Sequence, residues 1–173
     1  MQNILVMGGA GYIGSHTVKH LMKNGYNCIV ADNLVYGHEE AVLTPNFEKA
    51  DLLNKESLDK VFAKYKIDAV VHFAAYTYVG ESVENPQKYY ENNVTGTINL
   101  LKAMQKYNVN NFIFSSSATV YGDQGTECCV ETLPTGTNIT NPYGKTKYMI
   151  EEILKDLAVS NPNFNIVSLR YFN

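Results

Sequence analysis

The chain has little of what marks nucleic-acid-binding, membrane or secreted proteins. Its 173 residues carry 14 Lys and Arg against 17 Asp and Glu, a net charge of −3. This weakly acidic balance gives no basic surface for nucleic acid or anionic lipid. No apolar run approaches the roughly 20 residues that a membrane span needs, and the N-terminus leads into a strand-like run rather than a signal peptide. We therefore expect neither a nucleic-acid nor a membrane partner.

Metal-ligand spacing is also missing. The three cysteines are Cys28, Cys128 and Cys129, and the four histidines are His16, His20, His38 and His72. No pair of these side chains has the spacing or the carboxylate neighbours of a metal site, so we expect no metal. An odd cysteine count without a signal sequence favours a reducing compartment, and hence a cytoplasmic protein.

Strand-like and helix-like segments alternate along the chain, of which 45% is hydrophobic. Strands are predicted at 4–6, 26–31, 47–50, 67–75, 111–117 and 164–172, and helices at 13–23, 54–62, 86–107 and 142–157. Such alternation implies right-handed crossovers and a parallel sheet. We predict one domain over residues 1–173, an α/β fold of the Rossmann type with a doubly wound parallel sheet and helices on both faces.

The most informative segment is the glycine-rich turn at residues 7–14, between the first strand and the first helix. Gly8 permits a tight turn, Gly11 lets the backbone approach a pyrophosphate, and Gly14 lets the helix pack on the strand. The helix N-terminus then presents its N–H groups to phosphates. The alternative, a glycine-rich turn without a ligand, is disfavoured by the strand and helix around it.

The end of the second strand indicates which dinucleotide binds. Asp32 can accept hydrogen bonds from the adenosine ribose and would repel a 2′-phosphate, and no arginine stands near it in sequence. NAD is therefore favoured over NADP. The alternative is that Asp32 only caps the following turn.

Tyr143 and Lys147 are four positions apart on a predicted helix and therefore share a face. A tyrosine with an ordinary pKa near 10 is a poor base at neutral pH. A desolvated ammonium together with a cationic nicotinamide would favour the phenolate, whereas one exposed lysine would not. Ser115 and Ser117 lie at a strand end, where ligands bind in open α/β sheets. The alternative is a surface Tyr/Lys pair on an amphipathic helix.

Several motifs occur in a familiar order across residues 3–173. They are the glycine turn, Asp32-Asn33, Asp51-Leu52, His72-Phe73-Ala74, Asn92-Asn93-Val94, residues 115–122 (SSSATVYG), Tyr143-x-x-x-Lys147 and residues 169–173 (LRYFN). This arrangement resembles the extended short-chain dehydrogenase/reductases. Within that family, residues 80–82 (GES), 92–97 (NNVTGT) and 115–122 look most like the nucleotide-sugar 4-epimerases.

The resemblance implies a role for each matching residue. Tyr143 would be the base, Lys147 would bind the nicotinamide ribose and depress the pKa of Tyr143, and Ser117 would hydrogen-bond the sugar hydroxyl. The cofactor contacts would come from Gly8, Gly11, Tyr12, Ile13, Gly14, Asp32, Asn33, Leu34, Gly37, Asp51, Leu52, Phe73, Ala74, Ala75, Thr77, Asn93, Ser115, Tyr143, Lys147 and Phe172. The substrate contacts would come from Ser117, Tyr143 and Asn173.

The implied activity is the interconversion of UDP-glucose and UDP-galactose by transient NAD-dependent oxidation at sugar C4, through a 4-keto intermediate. A UDP-sugar would be the substrate and a homodimer the assembly. One alternative is a nucleotide-sugar 4,6-dehydratase or another enzyme of the extended family, although Ala118-Thr119 stands where dehydratases place Asp-Glu. Another alternative is an inert NAD-binding module.

Two departures from the family pattern stand out. Ala75-Tyr76-Thr77 occupies the place where many members have Gly-x-Lys, so that a lysine contact near the cofactor phosphates is missing or replaced. Family members also carry a C-terminal substrate domain of comparable size, and this sequence stops where that domain would begin. The resemblance therefore implies a truncated cofactor domain.

Overall fold

The computed structural model describes residues 1–125 and 128–172. The strands are β1 (Asn3–Met7), β2 (Asn27–Asp32), β3 (Phe47–Lys49), β4 (Ala69–His72), β5 (Asn111–Ser117) and β6 (Asn165–Tyr171). All neighbouring pairs among them are parallel, and their order across the sheet is β3-β2-β1-β4-β5-β6. This is the predicted doubly wound Rossmann-type sheet.

Six α-helices connect the strands. They are α1 (Tyr12–Lys23), α2 (Lys55–Lys64), α3 (Val79–Glu84), α4 (Pro86–Tyr89), α5 (Gly96–Lys106) and α6 (Pro142–Ser160). A π-helical turn at Tyr90–Thr95 joins α4 to α5, and 3₁₀ turns lie at Glu39–Ala41 and Ala118–Tyr121. None of the helices in the described residues combines the length and the apolarity needed to cross a bilayer.

Helices cover both faces of the sheet, as predicted. On one face Val18 of α1 packs against Ile4, Val6 and Val30. On the other face the buried side chains come from three helices and four strands, and they include Leu5, Met7, Ile29, Leu58, Val61, Val70, Leu100, Met104, Phe112, Phe114, Ile150 and Leu154. Alternate residues of one strand therefore enter opposite cores, which is why β1 reads as a continuous apolar run.

The strand order reverses at β1, because the chain places β2 on one side of it and β4 on the other. A crevice opens at such a switch point, beyond the carboxyl ends of the strands. The residues that follow β1, β2, β4 and β5 are therefore brought to one edge of the sheet, which is where the candidate site lies.

Two elements differ from the sequence-based prediction. The strand predicted at 67–75 is only Ala69–His72, because the N–H groups of Phe73 and Ala74 both donate to the Met7 carbonyl and turn the chain out of the ladder. The helix predicted at 86–107 is not regular throughout, because the π turn interrupts it. The short helix α3 was not predicted.

Candidate active site

A cleft of about 670 Å³ runs along the carboxyl edge of the sheet. Most of the residues predicted to bind cofactor or to act in catalysis line it. They are Gly8, Gly11, Tyr12, Ile13, Gly14, Asp32, Asn33, Gly37, Leu52, Phe73, Ala74, Ala75, Thr77, Ser115, Ser117, Tyr143 and Lys147. Six separate segments of the chain thus meet at one cavity.

The glycine turn packs too closely for side chains at two positions. Gly8 has a φ of +80°, and a Cβ atom there would lie 2.5 Å from the Ala74 nitrogen. A Cβ on Gly14 would lie 2.2 Å from the Gly8 carbonyl oxygen. A Cβ on Gly11, in contrast, would meet nothing closer than 3.4 Å, so the cleft stays open above that residue. Gly8 and Gly14 shape the turn, and Gly11 leaves room for a ligand.

The N-terminus of α1 points into this opening without a side-chain cap. Its N-cap residue is Gly11, no side chain in the described residues caps it, and its first turn contains no acidic residue. Helix N-terminal N–H groups of this kind bind phosphate well. The open turn and the uncapped helix therefore fit the pyrophosphate of a dinucleotide.

The Asp32 carboxylate is held in place by two backbone groups. One oxygen accepts from Ala10 N at 3.0 Å and the other from Leu34 N at 2.9 Å. Its side chain is buried yet still reaches the cleft wall. Asp32 thus caps its turn and also faces the ligand space, so the two alternative interpretations of this residue are compatible.

The far end of the cleft, beside β2 and β3, suits a flat ring. Asn33 Nδ2 donates to Asp51 Oδ2 at 2.9 Å, which ties the two strand ends together. Leu52 lines the cleft, and a Cβ on Gly96 would come within 2.7 Å of the Leu52 Cβ. The Leu52 side chain is therefore pressed toward the cavity from behind.

Asn93 fixes the segment that follows β4 without forming part of the cleft wall. Its Oδ1 accepts from Tyr76 N at 2.8 Å, and its Nδ2 donates to Tyr76 O at 3.0 Å and to Thr146 Oγ1 at 3.1 Å. The π turn brings Asn92 and Asn93 to the inner side together, and both are buried. Asn93 therefore connects the cofactor segment to α6.

Lys147 is buried at the floor of the cleft. Its Nζ donates to the Ser115 carbonyl at 2.7 Å and lies 4.9 Å from the Phe114 ring centroid and 5.8 Å from that of Tyr143. Burial lowers the pKa of Lys147 to about 7. His72 lies nearby, and burial, together with the Lys147 charge, lowers its pKa to about 3. His72 is therefore neutral, and Lys147 is only partly protonated near neutral pH.

Burial raises the pKa of Tyr143, and a hydrogen bond with Ser117 acts in the opposite direction. The Ser117 hydroxyl also accepts from Thr119 Oγ1 at 2.9 Å. Lys147 does not by itself reverse the effect of burial on Tyr143. The lowered pKa of Tyr143 therefore stays a prediction for the site with a cationic nicotinamide in place.

Some predicted positions lie away from the cleft. Leu34, Asp51 and Phe172 do not line it. Phe172 is exposed and stacks on Tyr121 with a centroid separation of 6.3 Å, whereas Tyr171 faces the cavity, because successive strand residues point to opposite sides. The predicted substrate residue Asn173 lies outside the described residues. Thr77 lines the cleft but offers no positive charge there.

Sequence reasoning missed the contacts that form two groups of residues. Tyr36, Tyr76 and Tyr78 line the cleft from two different loops. Ser116, Glu151 and Arg170 form a hydrogen-bonded group behind Lys147. Two sequence cues could have pointed to this group. Ser116 lies at the end of a strand, and Glu151 lies four residues after Lys147 on the same helix. The tyrosines carry no local signal, because their contacts depend on the strand order. No cluster of metal-ligating side chains occurs among the residues described.

The fold and the site together define a Rossmann-type dinucleotide-binding protein with the Tyr/Lys pair of the extended short-chain dehydrogenase/reductases. A family model described as "NAD dependent epimerase/dehydratase family" matches residues 4–173. The chain belongs to this family, whose cofactor is NAD.

Known relatives point to one branch of it. UDP-glucose 4-epimerase of Bacillus subtilis is 51% identical over 180 residues, covering 98% of this chain and 52% of that protein. The crystal structure of UDP-glucose 4-epimerase from Brucella ovis in complex with NAD has a TM-score of 0.94 and 47% identity, covering 100% of this chain and 52% of its own. The enzyme from Bifidobacterium longum, in complex with NAD⁺ and UDP, has a TM-score of 0.94 and 43% identity, covering 99% and 53%. The chain spans about half the length of these relatives.

Proposed function

We propose that this chain is the NAD-binding domain of a UDP-glucose 4-epimerase, which interconverts UDP-glucose and UDP-galactose. The observation that carries the proposal is the placement of Tyr143 and Lys147, one turn apart on α6, at the same cleft as the glycine turn. The names of the relatives supply the substrate.

NAD would extend along the carboxyl edge of the sheet. Asp32, Asn33 and Leu52 would hold the adenosine end, and the α1 N-terminus with Gly11, Tyr12 and Ile13 would hold the pyrophosphate. Ser115, Tyr143 and Lys147 would surround the nicotinamide end. The other predicted cofactor residues do not line the cleft and would support the lining residues from behind or from the side. They are Leu34, Asp51, Asn93 and Phe172.

Tyr143 would take the proton of the sugar 4-hydroxyl and would return it after the keto sugar has rotated within the site. When bound, NAD supplies the acceptor for the C4 hydride and its return to the other face, through a 4-keto sugar, so that no net redox occurs. Lys147 would hold the nicotinamide ribose and stabilise the Tyr143 phenolate. Ser117 would hydrogen-bond the sugar hydroxyl while the proton moves.

The remaining partners are proposals of the same kind. Asn173 and residues beyond this chain would bind the UDP-sugar, and the complete protein would be a homodimer. The three thiols of this chain are unpaired, which fits a cytoplasmic location.

Incubation of the purified complete protein with UDP-galactose, without added reductant, tests the function. Proton NMR should show UDP-glucose forming until the two sugars reach equilibrium. Accumulation of a 6-deoxy-4-keto sugar would instead indicate a 4,6-dehydratase and would overturn the proposal.

A second candidate is an NAD-binding module without turnover, and the half-length match to the relatives favours it for the chain alone. NADH fluorescence distinguishes the two. Binding of NADH with no epimerisation would support the module, whereas binding with epimerisation would support the enzyme.

A further inference from the structure

We propose that Tyr36, Tyr76 and Tyr78 form a gate, called here the tyrosine bridge, over the middle of the cleft. The bridge controls the entry and release of the dinucleotide. This inference rests on the proposed NAD site and assigns a common role to three residues whose contacts with one another were not predicted from the sequence.

The Tyr36 ring contacts the rings of both Tyr76 and Tyr78 across the cleft. The Tyr36 ring centroid lies 5.5 Å from that of Tyr76, with an interplanar angle of 79°, and 5.4 Å from that of Tyr78, with an angle of 84°. Both pairs are edge-to-face. Aromatic pairs in this geometry contribute more stabilising free energy than the burial of their surface area alone. Tyr36 thus packs against Tyr76 and Tyr78 at the same time.

The strand order places this contact above the glycine turn. Tyr36 follows β2 and the other two tyrosines follow β4, and β1 lies between these strands. Both loops also touch the turn itself. His38 N donates to Ala10 O at 3.0 Å, and the Gly8 Cβ position would lie 2.5 Å from Ala74 N. The bridge therefore spans the part of the cleft where the pyrophosphate would lie.

The wall that carries Tyr76 is held firmly. Lys88 Nζ lies 4.6 Å from the Tyr76 ring centroid and 2.5 Å from a Glu81 carboxylate oxygen. The Tyr89 ring lies 5.9 Å from Tyr76 on the same side, and its hydroxyl donates to Glu81 at 2.7 Å. Tyr76 is therefore the fixed part of the bridge.

Tyr36 and Tyr78 are the parts of the bridge that can move. Tyr36 is 44% exposed and Tyr78 is 59% exposed. The backbone before Tyr36 is tied down, because Leu34 N donates to Asp32 and Val35 N donates to Asn33 Oδ1 at 3.1 Å. Opening therefore requires rotation of the Tyr36 side chain rather than movement of its loop, and rotations of exposed side chains are fast.

A gate and an ordinary binding contact differ in their kinetics. Contacts across a gate must break whenever the ligand passes in either direction, so their removal speeds both association and dissociation. Removal of an ordinary binding contact mainly speeds dissociation. The ratio of the two rate constants therefore identifies the role of Tyr36.

Stopped-flow measurement of NADH fluorescence on the purified chain gives both rate constants. For Tyr36→Ala, which removes two aromatic pairs, we expect both to rise roughly tenfold, with the dissociation constant nearly unchanged. Tyr36→Phe keeps both aromatic pairs and loses only the hydroxyl beside Glu81 and Lys88, so its rate constants should lie closer to those of the unmodified chain than to those of Tyr36→Ala. Tyr26→Ala is the matched control, because Tyr26 is similarly exposed but precedes β2 at the opposite edge of the sheet. Circular dichroism confirms folding of each variant.

A double-mutant cycle tests the contact itself. Tyr78→Ala should also speed both rates, and Tyr36→Ala/Tyr78→Ala should be no faster than Tyr36→Ala alone. A rise in dissociation only, additive effects, or no change would overturn the gate while leaving the NAD site intact. Failure of the unmodified chain to bind NADH would overturn the proposed function, and the gate with it.

Discussion

Burial biases both side chains of the Tyr143/Lys147 pair toward their neutral forms. It raises the pKa of Tyr143 and lowers that of Lys147 to about 7. A proton transferred from the phenol to the amine would create two buried charges close together, and each would stabilise the other. A cationic ring beside them would shift the balance further toward the phenolate. Burial alone thus favours the neutral phenol of Tyr143, and a cationic ring beside it would favour the phenolate.

Replacing Tyr143 with phenylalanine should separate proton transfer from binding. In the complete enzyme, Tyr143→Phe removes the proposed base but keeps the ring, so turnover should fall by roughly 10²-fold or more while NAD affinity changes little. Tyr148→Phe, on the same helix, is the control. Steady-state epimerisation and NADH titration measure the two effects, and near-normal turnover of Tyr143→Phe would remove Tyr143 from the role of base.

The buried ammonium of Lys147 should make stability depend on pH. Below about pH 7 Lys147 is charged in the folded and the unfolded chain, and its burial costs free energy. Between about pH 7 and its ordinary pKa of 10.5 only the unfolded chain holds the proton, so the free energy of unfolding should rise with pH relative to Lys147→Met, by roughly a few kcal/mol in total.

Urea unfolding of both proteins across this pH range measures the difference. Lys155→Met is the control, because Lys155 is an exposed lysine on the same helix. Parallel pH profiles for the unmodified chain and Lys147→Met would show that the ammonium is not desolvated.

At the scale of elements, a buried ion pair joins β5, β6 and α6 near the Tyr143/Lys147 pair. Glu151 is 2% exposed and accepts from Ser116 Oγ at 2.5 Å and from Arg170 Nε and Nη2 at 3.0 and 2.8 Å. Arg170 Nη1 also donates to the Tyr121 hydroxyl at 2.8 Å. Ser116 stands between Ser115, which holds Lys147, and Ser117. The pair therefore fixes the strand end on which the site depends.

Removing the charge of Glu151 should be costly, because it leaves the Arg170 guanidinium partly buried without a counter-ion. We expect Glu151→Gln to lower the free energy of unfolding by roughly 3 kcal/mol. Asp59→Asn breaks the exposed pair with Lys106 and should cost less than about 1 kcal/mol. Urea unfolding measures both changes. Equal losses in the two variants would contradict the structural role of Glu151.

The regular helices and strands were predictable because the spacing of their apolar residues shows which side chains are buried. Strands such as β1 and β5 and helices such as α1 and α6 follow from this pattern. The π turn did not, because a single wide turn barely alters helical periodicity over a long segment. In the site, local sequence spacing was enough to predict the glycine turn, Tyr143 and Lys147. Tyr36 and Tyr76 meet only because β2 and β4 flank β1, and nothing near either residue encodes that.

At the scale of the whole molecule, β6 is an open edge of the sheet. Within the described residues this seven-residue strand pairs with β5 alone, and Val167 and Leu169 are 52% and 42% exposed. Exposed apolar edge strands pair readily with other chains. The purified chain should therefore self-associate through this edge as its concentration rises.

A charge on the edge should suppress that association. Leu169→Lys should shift the sedimentation profile toward the monomer. Val159→Lys, which adds the same charge to an exposed valine near the end of α6, should leave the profile unchanged. An identical shift in both variants would point to net charge rather than to the strand edge.

The wide turn at Tyr90–Thr95 accommodates one residue more than a regular helix would. An ordinary helix of one residue fewer would keep Leu100 and Met104 in the core but could not direct two consecutive asparagines inward. Loss of a single codon here would therefore spare the hydrophobic packing and instead release the cofactor loop at Tyr76 from its anchor. A length change that would disrupt most helices would, at this point, act chiefly on ligand affinity.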